Sequence, residues 1–421
     1  MSESNRGPKA NSIEYWCWLV LAITYAAAFF QRVSPQIIVD YLAVDFNTSA
    51  KGVGTIAAAY FIGYTIMQFP AGIMIDVYGV RPVILVSLAL STVGSLLFSS
   101  ATTLPIAYAS RALIAVGDAL VFTCLIKYAA SVFSDARFGL MSALSQVSGY
   151  LGGILATAPL AVTVTHFGWR TPFWMMGVVS LCSFIFLAFF LSQTRHVGGL
   201  KQRIIELLST AKKELYGKAS WGCALTFAGH FAAVTTLSGV WGVSLLTTAY
   251  GQSREQASSY MMGFMIATIV GSIIFGYYSD RTKSLFRLLM VSGIGRMLLF
   301  ALLAPGLVAH LGNSSIWLTL VMLGVLAGGA VPLVLKSLKK IYAAKHIGLG
   351  GALNASISGL VMVAIQPILG AILDSSAVGR GSDGMPLYSL EGYNLLITGL
   401  VAVSSLGVIG PLLMRARIIN D

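Results

Sequence analysis

The stretch GIMIDVYGVRP, Gly72 to Pro82, closes one long apolar run and opens another. Glycine at 79 between Asp76 and Arg81 reads as a tight turn, because glycine adopts backbone angles closed to other residues and charge marks a boundary with water. The runs on either side, about Gly52 to Ile75 and about Pro82 to Ser100, are each long enough to cross a hydrocarbon layer of about 30 Å as a helix. A second, shorter version, GYYSDR, stands at Gly276 to Arg281.

Ten further runs of this kind flank the two around Gly79. With those two, the first six are about Trp16–Pro35, Gly52–Ile75, Pro82–Ser100, Leu104–Phe133, Phe138–Thr165 and Pro172–Leu191. The second six are about Ser220–Thr247, Ser258–Tyr278, Leu285–Ala304, Ser315–Leu335, Ile347–Leu373 and Tyr393–Met414. Backbone groups without partners are costly in lipid, so runs of this length must be helices, and they are too long for barrel strands. The expectation is an all-α integral membrane protein with 12 transmembrane helices in two pseudo-symmetric six-helix bundles. Its parts are a tail at 1–15, a bundle at 16–192, an amphipathic linker at 193–218, a second bundle at 219–414 and a tail at 415–421.

Composition agrees. Of 421 residues, 57% are hydrophobic and 10% charged, and mean hydropathy is +0.82, which excludes a water-soluble domain of this length. The net charge of +12 is a topological signal rather than a nucleic-acid surface. Lys and Arg gather on one side (Arg6, Lys9, Arg81, Arg137, the cluster from Arg195 to Lys218, Lys336 to Lys345, Arg415), whereas only Lys51, Arg170, Arg254 and Arg380 fall opposite. Both termini and the central linker are therefore expected in the cytoplasm, in a cell inner membrane. The polar first fifteen residues lack a cleavage pattern, so the first span is expected to stay in the membrane. Cys17, Cys124, Cys182 and Cys223 stand singly in apolar runs, as small fillers without metal or disulfide spacing.

The halves resemble each other. Gly72, Asp76 and Arg81 answer to Gly276, Asp280 and Arg281, and Lys127, Gly139, Leu140, Ala143 and Leu144 align without a gap on Lys336, Gly348, Leu349, Ala352 and Leu353. Two related halves suit a carrier that binds near the bilayer midplane and rocks around it, although duplication kept for packing alone has the same appearance.

On these residues the chain resembles the major facilitator superfamily over essentially its whole length. Gly72, Asp76, Gly79 and Arg81 match the family's G-x-x-x-D-x-x-G-x-R turn, with Pro82 where a second basic residue is common. Arg111 and Gly117 are similar to its R-x-x-x-G-x-G pattern, with Ala115 and Asp118 as departures, and Gly149, Gly152, Gly153 and Pro159 to its glycine-proline pattern. FFQRVSP (to Pro35), FGWR (to Arg170) and ALN followed by QPILGAILD (to Asp374) further resemble a bacterial subgroup with phagosomal-type amino-acid transporters and siderophore importers. The resemblance implies alternating access, frequent proton coupling and a cytoplasmic latch at Gly72, Asp76, Gly79, Arg81, Asp280 and Arg281.

Ionisable groups inside a bilayer are costly and invite a functional reading. Arg32, with Tyr25 and Gln31 before it, could attract a carboxylate or reach the interface. Arg111 and Asp118, seven residues apart on one helical face, could carry a proton or form a static network. His230, among small residues, suits either proton coupling or packing. Lys127 and Lys336, Gln146, Asn354, Gln366 and Trp241 complete the candidate solute-binding set, with interface anchoring or helix-to-helix hydrogen bonds as the alternative. Arg296 reads as structural. Basic residues outnumber Asp118, so the leading expectation is proton-coupled import of a small carboxylate-bearing solute: an amino acid, a short peptide or a carboxylate siderophore. The alternative is proton-driven drug or metabolite efflux. The chain contains no G-x-S-x-G, H-E-x-x-H or phosphate-loop motif, so no enzyme is expected. No cofactor, metal or nucleic acid is expected either, and the partners are the solute, protons and lipid, with the chain working as a monomer.

Overall fold

A computed structural model describes residues 11–192, 217–281, 284–305, 312–342, 347–380 and 386–419. The tail at 1–10 and nearly all of the expected linker, 193–216, lie outside the described residues.

Among the described residues, ten helices are by themselves long and apolar enough to cross a membrane, and the bent pair Leu140–Leu155 and Ala158–Phe167 makes an eleventh crossing. The helix Ala50–Tyr78, 29 residues long, is the second in chain order and completes twelve. These form two bundles of six, spans one to six from Ser12 to Phe190 and spans seven to twelve from Lys218 to Leu413. Large apolar side chains face outward along the spans, among them Phe189, Ile273 and Leu298, as lipid-facing surface requires. An even number of crossings puts Ser12 and Ile419 on one face, here the terminal face; the other is the distal face.

Several crossings depart from a straight helix. The first, expected to end at Pro35, continues: Ser12–Val33 is followed at Ser34 by a second helix, Pro35–Asp45. Proline is favoured at the first turn of a helix, where its missing N–H is not needed, so Pro35 marks a break and a restart and not an end. The fifth breaks at Ala156 and Thr157 with a bend of 44°, again just before a proline, Pro159. The tenth breaks at Gly329 into Asn313–Gly328 and Ala330–Ile341. Span seven, Lys218–Thr236, runs on through two π-helical turns, Leu237–Trp241 and Leu245–Ala249. A hairpin of Ala377–Arg380 with Pro386–Tyr388 joins spans eleven and twelve, which hydropathy alone does not foresee.

The turn between spans two and three is as expected for glycine. Gly79 has φ of +83°, outside the range of residues with a side chain, and it joins spans two and three directly. Arg81 donates from Nη2 to the Ala188 carbonyl at 2.6 Å, at the end of span six. In the other half Lys336 donates to the Ser279 carbonyl near the end of span eight, and Arg281 lies 4.3 Å over the ring of Tyr277. The side chains of Asp76 and Asp280 lie outside the described residues.

Spans two and eleven form one long contact between the halves, and spans five and eight the other. Toward the distal face the first of these is backbone against backbone: a Cβ on Gly54 would lie 2.5 Å from the Gln366 carbonyl oxygen, and one on Gly370 would lie 2.8 Å from the Lys51 Cα. Asp374 of span eleven accepts from the backbone N–H groups of Ala50 and Lys51, at 2.7 and 2.9 Å, where the N-terminus of span two presents unpaired donors and a positive dipole end. Arg254 at the start of span eight reaches across to the Ile37 carbonyl at 2.8 Å and to Asp40 at 2.5 Å, with its guanidinium 5.1 Å over the ring of Tyr41. Near the terminal face, by contrast, Gly72, Gly276 and Gly351 have no neighbour within contact among the described residues. The molecule is closed at its distal face and loosens toward the terminal one.

Candidate functional site

A cavity of about 250 Å³ lies between the halves. Spans one, two, four and five line it from one bundle and spans seven, eight, ten and eleven from the other; among the described residues, spans three, six, nine and twelve contribute nothing to its wall.

Helical spacing explains the lining. Tyr25, Phe29 and Arg32 recur every three or four residues along span one, and Phe227, His230, Phe231 and Val234 do the same along span seven, so each set shares one face. Phe227 and Phe231 stack with ring centroids 5.4 Å apart, and Phe61 meets Phe231 edge to face at 6.4 Å across the two halves. Nine of the lining side chains are aromatic, Tyr150 and Phe264 among them, so the wall is apolar with few polar points. Among the described residues none of the lining side chains is a carboxylate.

Arg32 is the guanidinium in that wall, 8% exposed. It lies 4.5 Å over the ring of Tyr64 and 5.2 Å from that of Phe29, stacking that fixes the plane of the guanidinium without neutralising its charge. Close to it, the irregular turn of span seven packs on its backbone: a Cβ on Gly239 would be 3.7 Å from the Arg32 carbonyl oxygen.

One layer behind lies a network that the sequence alone did not assemble. Asp118 accepts from the Ser91 hydroxyl at 2.7 Å and from the Tyr60 hydroxyl at 3.1 Å. The ring of Tyr60 lies 4.9 Å from the Arg111 guanidinium and 6.0 Å from that of Arg32, and stacks on Tyr64 at 6.2 Å. Arg111 donates to the Gln31 carbonyl at 3.0 Å, and the Gln31 side chain accepts from Ser95 at 2.9 Å. Tyr60 thus touches the acid and both cations. It was legible only as one of two tyrosines four residues apart, Tyr60 and Tyr64, a spacing that sets both on one face.

The other expected residues divide. Tyr25, Arg32, Gln146 and His230 line the cavity together. Gln31, Arg111 and Asp118 sit behind it. Trp241, expected near an outer vestibule, is fully buried in the closed distal layer, where its indole N–H has no partner among the described residues. Gln366 is fully buried in the contact between spans eleven and two, and Asn354 donates to the Cys223 sulfur at 3.3 Å. Lys127 is exposed on span four and Lys336 is engaged at span eight, both away from the cavity.

Two related six-helix bundles, shut on one side around a shared cavity, define a membrane carrier. The sequence pattern of the Major Facilitator Superfamily matches residues 20–364, and the chain belongs to that family. The 3-(3-hydroxy-phenyl)propionate transporter of Escherichia coli is 24% identical over 402 residues, 94% of this chain and 95% of that one. A probable sulfoacetate transporter, SauU of Cupriavidus necator, is 24% identical over 276 residues; the match takes in 62% of this chain and 64% of SauU, less than two thirds of that relative. Among solved structures, a bacterial homologue of the human lysosomal transporter Spinster, inward-facing and occupied, superposes with a TM-score of 0.75 at 13% identity over 97% of both chains.

Proposed function

We propose that this protein carries a small carboxylate-bearing solute inward across the cytoplasmic membrane by alternating access, coupled to protons, with its termini in the cytoplasm. The observation that carries the reading is Arg32, a buried guanidinium without an ion pair among the described residues, set in the aromatic wall between the halves. A carboxylate on such a group makes paired, charge-assisted hydrogen bonds in a low-dielectric site. An amino acid or peptide would also need a counter-charge for its ammonium, and the described lining contains none, so an organic acid with an apolar or aromatic body fits best. The relatives named for a hydroxyphenylpropionate and for sulfoacetate support an organic anion. The aromatic wall also suits an amphipathic drug, which keeps proton-driven efflux as the second reading.

Coupling is assigned to Asp118 with Arg111, and Tyr60 connects them to Arg32. While Asp118 is ionised its charge is shared with Arg111 and Arg32 through Tyr60. A proton on Asp118 withdraws that counter-charge and leaves Arg32 more attractive to an anion, and by linkage the anion favours the proton equally.

The test is uptake of labelled 3-phenylpropanoate by proteoliposomes under an imposed proton gradient, with accumulation that ends when the gradient is collapsed. Uptake indifferent to the gradient rejects the coupling, and accumulation only in vesicles of inverted orientation selects efflux. Tyr60→Phe removes a hydrogen bond to a charged group, worth about 1.5–3 kcal/mol. It is expected to keep solute-for-solute exchange within about a factor of two to three while losing gradient-driven accumulation; equal loss of both would make Tyr60 a packing residue only.

A further inference from the structure

We propose that the cavity has a second anion-binding pole in the C-terminal half, at His230 with Arg296 behind it, and that the preferred solute is a dianion, two acidic groups joined by a short apolar body. The inference rests on the organic-anion reading above and narrows it.

The membrane interior holds three fully or nearly buried guanidinium groups, Arg32, Arg111 and Arg296, against one buried carboxylate, Asp118, which leaves two positive charges uncompensated among the described residues. Arg111 lies on the Tyr60 ring that bonds Asp118. Arg32 faces the cavity. Arg296, 2% exposed in span nine, makes no ion pair among the described residues; it donates to the Ser292 hydroxyl at 2.5 Å, reaches the Leu326 carbonyl only at 3.5 Å, and its Nε has no partner. A buried cation in that position is costly unless an anion comes near it, and its field is scarcely screened in so apolar a medium.

Gly407 of span twelve lets the guanidinium approach the backbone of span seven, behind the wall. A Cβ there would lie 2.8 Å from Arg296 Nη2 and 3.9 Å from the His230 backbone nitrogen, so Arg296 lies against span seven at the level of His230. His230 forms the cavity wall in front of it, is 5% exposed, and its Nδ1 has no partner among the described residues. The two poles are in different halves, Arg32 in span one and His230 in span seven. A dianion neutralises both and ties the bundles together. A monoanion leaves the C-terminal pole empty.

The experiment compares 3-phenylpropanoate with 3-(4-carboxyphenyl)propanoate, which differ by one carboxylate, binding to the purified full-length protein in nanodiscs. Wild type is expected to hold the diacid at least about tenfold more tightly, the value of one charge-assisted contact. His230→Leu should erase that preference, bringing the ratio of the two affinities to about one, with cooperative thermal unfolding of the unliganded variant showing that it is folded; His230→Asn, which keeps a donor and an acceptor, should retain part of it. Equal binding of the two acids by wild type overturns the proposal, as does a His230→Leu variant that keeps the preference or weakens both acids alike. Binding of neither acid by wild type takes down the organic-anion reading itself, and this inference with it.

Discussion

Arg32→Gln is expected to weaken recognition of a carboxylate solute by at least about thirtyfold. The substitution keeps polar atoms near the site but removes the charge and the two-pronged geometry, and the solute carboxylate is left desolvated against Phe29 and Tyr64. Breaking a buried charge-assisted pair costs about 2–4 kcal/mol, roughly thirty- to a thousandfold in affinity. Arg32→Lys should fall between, near tenfold, because an ammonium keeps the charge but neither stacks flat on Tyr64 nor binds both carboxylate oxygens. The measurement is the rise in melting temperature that 3-phenylpropanoate produces in purified protein, since a ligand bound only to the folded state stabilises it. A full ligand-induced rise in Arg32→Gln would remove Arg32 from the site.

The second large effect concerns the closed distal face. A side chain at Gly370 meets backbone, with Ala50 C at 2.7 Å and Lys51 Cα at 2.8 Å from its Cβ, and backbone cannot turn aside as a rotamer can. Gly370→Leu must therefore part spans eleven and two where Asp374 caps the latter. Overpacking of this kind costs about 1–3 kcal/mol, borne only by the closed state, so it shifts the balance toward an open distal face by about fivefold to a hundredfold. The readout is a cysteine at Thr235, on the cavity wall, in a background without the four native cysteines. A membrane-impermeant maleimide applied from the distal side should react at least about fivefold faster in Gly370→Leu than in its parent. Asp374→Asn, which loses a carboxylate at a helix N-terminus worth about 0.5–2 kcal/mol, should act in the same direction and less strongly. A labelling rate unchanged in both variants would mean that this contact is not what holds the distal face shut.

Much of the architecture was legible because its signals are local. Twenty apolar residues between polar boundaries make a crossing whatever surrounds them, and the turn at Gly79 declares itself through a residue type that a positive φ demands. Breaks inside spans were harder to see. Pro35 and Pro159 are present in the sequence, but whether a proline ends a helix, restarts it or bends it depends on the neighbours that receive the two pieces. Of the candidate site, Arg32, Tyr25, Gln146 and His230 meet at one cavity, each recognisable as a polar or aromatic group out of place in lipid. Gln31 and Trp241 are equally out of place and lie elsewhere, because composition does not say which face of a helix turns inward.

The amino-acid order by itself determined the number of crossings, the duplication and the shortage of buried acids, because hydropathy and charge act through the local free energy of each segment in lipid. Only the tertiary structure decided that Tyr60 joins Asp118 to Arg32 and that Arg296 lies against span seven at the level of His230. Those relations join residues tens of positions apart in the chain, and they exist only where packing between helices, made close by glycines such as Gly407 and Gly370, brings one face against another.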